Sequence, residues 1–249
     1  MKVRGFDERW SAFPEVQKTT PGIFELKTGW SKKDLEGMDV LDAGCGIGRF
    51  MDVVASWGGR VTGIDASLAA LDVCRSRGLD VIEADLLYLQ RITRSFDRIY
   101  SIGVLHHLAS PGAAFGNLCS LLRPGGEIAV WVYGEPLARS DDLLPAIKAL
   151  HEITKSCPVS VLLSVFTRYG PVLRDVYRSH EEFWPLFEVL RVSGSLDDRE
   201  CISDTLDWHA PKFRSSHTSR EVHTWFEENG LDVIWTNEEF PVSVRGKKP

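Results

Sequence analysis

The sequence predicts an α/β fold: a doubly wound, mostly parallel sheet of seven strands with an antiparallel edge strand, and a helical cap inserted late in the chain. Three observations predict it. Short apolar runs alternate with helical segments between residues 39 and 134, at the pace of right-handed βαβ crossovers. An acid and three alternating glycines (Asp42, Gly44, Gly46 and Gly48) break the pattern where the first strand ends. Roughly seventy to eighty residues with helical spacing then separate the fifth strand from the last two, far too many for a simple connection.

The first strand is Val40-Leu41-Asp42-Ala43, and Gly44-Cys45-Gly46-Ile47-Gly48 turns it into a helix. So tight a turn lets a ligand approach the backbone and is expected to present free N–H groups to it. A dinucleotide loop would place its third glycine at 49, where this chain has Arg49. A glycine triplet alone is an ordinary tight turn, so its surroundings decide its meaning. The helix Phe50 to Trp57 carries Phe50, Val53, Val54 and Trp57 on one face. A second strand, Arg60 to Asp65, ends in an acid about 20 residues past the loop, where a nucleoside-binding unit accepts hydrogen bonds from ribose hydroxyls. Asp65 also suits the N-cap of the helix beginning near Ser67, and the two roles are compatible.

The third strand, Leu79 to Glu83, runs into Ala84-Asp85-Leu86. The fourth, Phe96 to Ile102, flows into Gly103-Val104-Leu105-His106-His107-Leu108, and the fifth, Glu127 to Val132, follows the turn Arg123-Pro124-Gly125-Gly126. Ligands of such sheets sit beyond the carboxyl ends of the strands. Asp42, Asp65, Asp85 and Ser101 all lie at such ends, which packing alone does not explain.

In the insertion, Leu143, Leu144, Ile147, Leu150 and Ile153 keep helical spacing. Val159 to Phe166 is strongly apolar and ends near Gly170-Pro171, and Ser179-His180-Glu181-Glu182 has the form of a capping box ahead of Phe183, Leu186, Phe187 and Leu190. A second capping box, Thr218-Ser219-Arg220-Glu221, starts a helix that ends at Asn229-Gly230. Leu231 to Thr236 and Phe240 to Arg245 read as closing strands.

Taken in order, the segment from Val40 to Val132 resembles the core of the class I S-adenosylmethionine-dependent methyltransferases. The likeness rests on the Asp-x-Gly-x-Gly-x-Gly loop, the ribose acid, the Ala-Asp-Leu turn, Val104 to Leu108, and Leu121 to Val130. More loosely, Asp207 to Phe213 and Trp225 to Gly230 resemble small-molecule methyltransferases with an inserted cap. The resemblance implies a Rossmann-like sheet and four regions: a leader (1–38) over the cofactor mouth, a cofactor-binding core (39–134), a mostly helical cap (135–206) and a C-terminal completion of the sheet (207–249). The leader reads equally as a packing arm. An insertion at that point would roof the site and shape a substrate pocket, or form a dimer interface.

The resemblance further implies S-adenosylmethionine as cofactor, with S-adenosylhomocysteine as product. Asp42, Gly44, Cys45, Gly46 and Gly48 would hold its methionine end, Asp65 and Ala66 the ribose, Asp85 and Leu86 the adenine edge, and Ser101 and Ile102 the sulfonium side. Methyl transfer from a sulfonium is an in-line displacement that needs alignment, water exclusion and, for a protonated nucleophile, a base. His106 and His107 are the candidate bases, with His106 also a cofactor neighbour; a packed, hydrogen-bonded role is the competing reading. Trp208, His209, Lys212 and His217 would meet substrate or tie the insertion to the core.

The acceptor is expected to be a small molecule. No Asp/Asn-Pro-Pro-aromatic motif of amino methylases follows the fourth strand, and a net charge of −6 argues against a nucleic-acid partner. No apolar run suggests a membrane span and no signal peptide is evident, which points to the cytoplasm. Five scattered cysteines without a C-x-x-C pair fit a reducing compartment and argue against a metal site. Cys45 reads as a small side chain filling the turn. Two other classes stay open. An aminopropyl transferase would need extra acids after the fourth strand, which Tyr100-Ser101-Ile102-Gly103 lacks; a non-catalytic binding module would be expected to lose loop residues, which are intact here.

Overall fold

The computed structural model describes residues 5–15, 19–135, 141–237 and 242–249. The chain divides into two units: Glu15–Glu135 with Ser215–Pro249, and Lys2–Pro14 with Pro136–Arg214. The first is the α/β unit and the second is helical.

Helix α1 (Phe6–Ala12) belongs to the helical unit. The α/β unit contains α2 (Pro21–Thr28), α3 (Lys32–Leu35), β1 (Asp39–Ala43), α4 (Arg49–Ser56), β2 (Arg60–Asp65), α5 (Leu68–Ser76), β3 (Val81–Glu83), β4 (Phe96–Ile102), α6 (Pro111–Ser120) and β5 (Leu122–Val132). After the helical unit, the α/β unit closes with α11 (Ser219–Glu228), β6 (Asp232–Asn237) and β7 (Val242–Lys247). The seven strands lie in the order β3-β2-β1-β4-β5-β7-β6. β1 through β5 pair in parallel, and β7 runs antiparallel to both β5 and β6, so the antiparallel pairing lies at that side of the sheet. The strand order reverses between β1 and β4, which makes their carboxyl ends the natural ligand crevice.

Alternation along the strands buries both faces. Leu41, Ala43, Ile64, Ile99, Ile128 and Val130 pack with Phe115 and Leu118 of α6 and with Val222 and Phe226 of α11. Val40, Tyr100, Ile102 and Ala129 pack with Phe24, Trp30, Phe50, Val54 and Trp57. The apolar face expected on α4 is therefore the face the sheet covers.

Boundaries moved where pairing overrode the apolar pattern. β5 begins at Leu122 rather than Glu127, because Phe96 already pairs with Leu122 before a register shift between Phe96 and Arg98 takes up the Pro124-Gly125-Gly126 turn. β3 is shortened to Val81–Glu83, and Phe240, the expected start of the last strand, lies outside the described residues.

The helical unit contains α7 (Leu144–Thr154), α8 (Val159–Ser179), α9 (Trp184–Leu190) and α10 (Asp198–His209). Two expectations fail here. α8 does not stop near Gly170-Pro171 but runs through Pro171 to Ser179. The missing proline N–H removes one helical bond; packing of Val159 and Leu162 against Leu206 and Ala210, and the buried Arg174 bonded to Asp175 and Asp198, hold the helix through it. Ser179 is therefore a helix end and not an N-cap: its hydroxyl donates backwards to the Asp175 carbonyl at 2.9 Å. α9 starts instead with Pro185 in its first turn.

Candidate functional site

The crevice between β1 and β4 begins with the glycine loop. Gly44, Gly46 and Gly48 all have φ in the left-handed region, at 86°, 52° and 82°. A Cβ on Gly44 would sit 2.4 Å from Val104 Cγ2, and one on Gly48 would sit 2.6 Å from Leu79 Cδ1. Glycine is required there by both torsion and space.

The N–H groups that the sequence reading offered to a ligand are used internally. Gly44 and Cys45 donate to the Ile64 carbonyl at 2.7 and 3.0 Å, Gly46 to Asp65 Oδ2 at 2.8 Å, and Gly48 to the Cys45 carbonyl at 2.9 Å. Through these four N–H groups the loop folds back onto itself and onto the end of β2. What it leaves at the crevice is close approach and acidic side chains, a setting suited to a cation rather than to a pyrophosphate.

Asp42 is buried, placed between Gly63 and Tyr100 in the sheet register, and its Oδ2 accepts no hydrogen bond among the described residues. Burial pushes its carboxyl up to about 8; the Tyr100 hydroxyl and Arg49 oppose the rise and Asp65 adds to it. An orphaned buried carboxyl oxygen beside the loop fits the sulfonium or ammonium of S-adenosylmethionine. Asp65 is half-buried and joins loop to helix: Oδ2 takes the Gly46 N–H, and Oδ1 takes the Ser67 N–H at 2.8 Å. The N-cap of α5 is Ser67 itself, which accepts from the Ala70 N–H, so Asp65 is not the cap.

Ala66 is half-buried between them. Asp85 turns the chain by accepting the Leu87 N–H at 2.9 Å, and Leu86 is buried. Ser101 is fully buried and its hydroxyl donates to the Ala43 carbonyl at 2.9 Å; Ile102 is buried beside it. The Cys74 thiol and burial hold the Cys45 thiol well above its ordinary value, in keeping with a packing role.

His106 and His107 lie in a short 3₁₀ turn, Leu105–His107, and both are buried. The Tyr133 N–H donates to His106 Nδ1 at 3.2 Å, so the neutral ring carries its proton on Nε2. His106 also stacks on the Tyr133 ring at 3.7 Å, with His107 edge-on to both. Ser215 N donates to the His106 carbonyl at 2.9 Å, and Ser215 Oγ meets His217 Nε2 at 2.8 Å. Tyr133, Trp131 and Ser215 were not singled out from sequence. The alternating aromatics Trp131 and Tyr133 at the end of β5 were the available signal; Ser215 carried none.

The second candidate group falls into two parts. Trp208, His209 and Lys212 belong to the helical unit, whereas His217 belongs to the α/β unit, where the Gly134–His217 bridge and the Trp225 ring hold it. Trp208 gives its carbonyl to Arg214, Lys212 is exposed, and His209 is buried with Nε2 on the Leu190 carbonyl at 2.7 Å. Burial lowers His217, against the pull of Glu221 and Glu135.

Residues 41–130 match the model of a methyltransferase domain family. An uncharacterized protein of Synechococcus sp. is 36% identical over 244 residues, 92% of this chain and 54% of that protein. The ubiquinone biosynthesis O-methyltransferase of Alkalilimnicola ehrlichii is 35% identical over 102 residues, 38% of this chain and 41% of that protein. A "Probable tRNA methyltransferase 9B" of Bos taurus is 31% identical over 122 residues, 46% of this chain and 26% of that protein. The chain thus spans about half or less of the length of these relatives. Among solved structures, magnesium protoporphyrin IX methyltransferase of Synechocystis PCC 6803 with bound S-adenosylhomocysteine superposes with a TM-score of 0.52 at 13% identity, covering 98% of this chain and 84% of that one. That likeness is one of fold.

Proposed function

We propose that this chain, whose α/β unit is a class I S-adenosylmethionine-dependent methyltransferase domain, transfers a methyl group to a small-molecule acceptor by in-line displacement. The observation that carries the reading is the pairing of an intact, glycine-obligate loop with the buried Asp42 carboxyl, whose Oδ2 has no hydrogen-bond partner, at the strand-order reversal. When bound, S-adenosylmethionine supplies a methyl group already activated on a cationic sulfur. The loop would admit its methionine end, Asp42 would oppose its positive charge, and Asp65 would accept from the ribose while holding the loop. Asp85 and Leu86 would border the adenine.

His106 suits positioning better than proton abstraction, because the Tyr133 N–H occupies its Nδ1 lone pair. Where the acceptor needs a base, His107 is the residue to test. The ubiquinone biosynthesis relative supports a small acceptor, and the net charge of −6 sets this chain against phosphate-rich ones. The tRNA methyltransferase relative matches 46% of the chain and the ubiquinone relative 38%, so the net charge, rather than the extent of likeness, is what favours the small acceptor. A homodimer through the insertion would use the exposed face of α8 carrying Val161, Val165, Tyr169, Val172 and Val176.

Calorimetry with S-adenosylmethionine and S-adenosylhomocysteine tests the cofactor site. Binding of both, weakened at least tenfold in Asp65→Ala, is the expected result. Binding of neither would sink the reading and leave the partner-binding module.

A further inference from the structure

The glycine loop carries a sulfur pair that methyl transfer leaves unused. Cys45 sits in the loop and Cys74 on α5, and both thiols are buried. The bare Gly63 of β2 makes room for the first, since a Cβ there would lie 2.7 Å from Cys45 Sγ. Cys74 stands behind Gly48, where an added Cβ would lie 3.2 Å from its Sγ. Both thiols donate to one acceptor, the Gly46 carbonyl, at 3.6 Å from Cys45 and 3.3 Å from Cys74. They are also in hydrogen-bonding contact with each other, in a buried cluster with Met51 and Leu71.

The loop is held from both sides here. Asp65 takes the Gly46 N–H at 2.8 Å, and the two thiols supply the Gly46 carbonyl. Arg77, just past the end of α5, donates to the next carbonyl, Ile47, at 2.6 Å, and its other nitrogen bonds Asp52 of α4. The shape of the loop therefore depends on the end of α5, and the thiols stand at that junction. Packing alone would be met by two small apolar side chains; it does not call for two thiols on one carbonyl.

We propose that Cys45 and Cys74 are a modification site: they form a reversible disulfide that switches the cofactor loop off. The oxidant is a low-molecular-weight disulfide. One cysteine thiolate attacks it, giving a mixed disulfide and releasing one small thiol; the other cysteine then displaces the second small thiol and closes the Cys45–Cys74 bond. Two electrons pass to the small disulfide, and the two cysteine protons balance the two thiols formed. While the loop is closed, the Cys74 thiol and burial keep Cys45 protonated and unreactive, so exchange requires the loop to open. Closing the sulfurs to about 2 Å draws Cys45 toward α5 and takes both S–H donors from the Gly46 carbonyl. A buried carbonyl without a donor is unfavourable, so the linked loop leaves the shape that admits the ligand. Cofactor and disulfide then favour different loop shapes, and each opposes the other. The switch rests on reading this loop as the cofactor site; the disulfide itself does not.

The test incubates the full chain in glutathione buffers of stepwise oxidised-to-reduced ratio, alkylates it without reduction and reads the peptides by mass spectrometry. A Cys45–Cys74 linked peptide that dithiothreitol reverses supports the site. Glutathione adducts without that link, or no reaction at either cysteine, overturn it. Calorimetry should find S-adenosylhomocysteine binding about tenfold weaker to the linked chain, and the same ligand should slow the linkage. Cys74→Ser keeps a donor for the Gly46 carbonyl, so it should bind like the reduced wild type and ignore oxidation; Cys74→Ala replaces it if the serine variant does not fold. Equal affinity of linked and reduced chains overturns the switch alone. A reduced chain that binds neither cofactor form overturns the cofactor reading and the switch together, and the linked peptide still decides the disulfide.

Discussion

Burial favours neutral groups in both units, an acid in one and two bases in the other. At the crevice of the α/β unit, Asp42, Asp65 and Asp85 stand at strand ends, and burial raises Asp42 to about 8. Inside the helical unit, burial lowers His151 and His209 to about 4, with the Arg214 charge acting in the same direction. The same desolvation moves an acid up and a base down, so it favours the neutral form of Asp42 and of the two histidines. A cation suits the first. The comparison can be broken at either end.

The largest effect is expected at the loop. Gly44→Val combines a φ of 86° with a contact 2.4 Å from Val104, so cofactor binding should fall beyond roughly a hundredfold in calorimetry. Gly37→Ala is the control: its φ is 75°, but nothing lies within 4 Å of the added carbon. It should lose only about 1–2 kcal/mol of stability and keep its affinity. Equal loss in the two variants would show that backbone strain alone, and not the crevice, explains the first.

Next comes Asp42. A cation at the crevice favours the charged carboxylate, so cofactor binding at pH 7 should release close to one proton. Calorimetry in buffers of different ionisation enthalpy reads it directly, and Asp42→Asn should release none from this position and bind about tenfold more weakly. An identical proton count in both proteins would remove Asp42 from the account.

The two units should also respond oppositely to pH. A raised carboxyl such as Asp42 stabilises the fold below its ordinary value of 3.8, and that contribution is lost as pH rises toward 8. The lowered histidines contribute above their ordinary value of 6.5 and lose that contribution as pH falls toward 4. Urea unfolding of wild type between pH 7 and pH 5 should therefore show the helical unit weakening, by about 1.4 kcal/mol per unit of pH for each histidine. His151→Gln with His209→Gln should flatten that slope. A slope unchanged by the double variant would assign the acid sensitivity elsewhere.

Legibility followed the same division. The α/β unit was readable because its strands and its loop obey local rules: glycine torsions, the two-residue alternation and the acid at each strand end. What escaped there was non-local. The use of the loop N–H groups by Ile64 and Asp65, and of the Ser101 hydroxyl by Ala43, depends on how strands meet. In the helical unit the apolar spacing located helices but not their ends, because tertiary packing carried α8 through Pro171. The burial of His151 and of His209 was likewise announced by no local pattern.

The smallest prediction uses one motif spelled twice. Thr218-Ser219-Arg220-Glu221 forms a capping box in the α/β unit: Thr218 Oγ1 takes the Glu221 N–H at 3.2 Å, and Glu221 Oε2 takes the Thr218 N–H at 2.9 Å. Ser179-His180-Glu181-Glu182 has the same form, but Ser179 ends α8 and points back to Asp175. Thr218→Ala should cost about 1 kcal/mol in urea unfolding, since it strips the first turn of α11 of its cap. Ser179→Ala, at an exposed helix end, should stay within about 0.5 kcal/mol. A larger loss at Ser179 than at Thr218 would mean that the second box does form in solution, with α8 ending earlier than described.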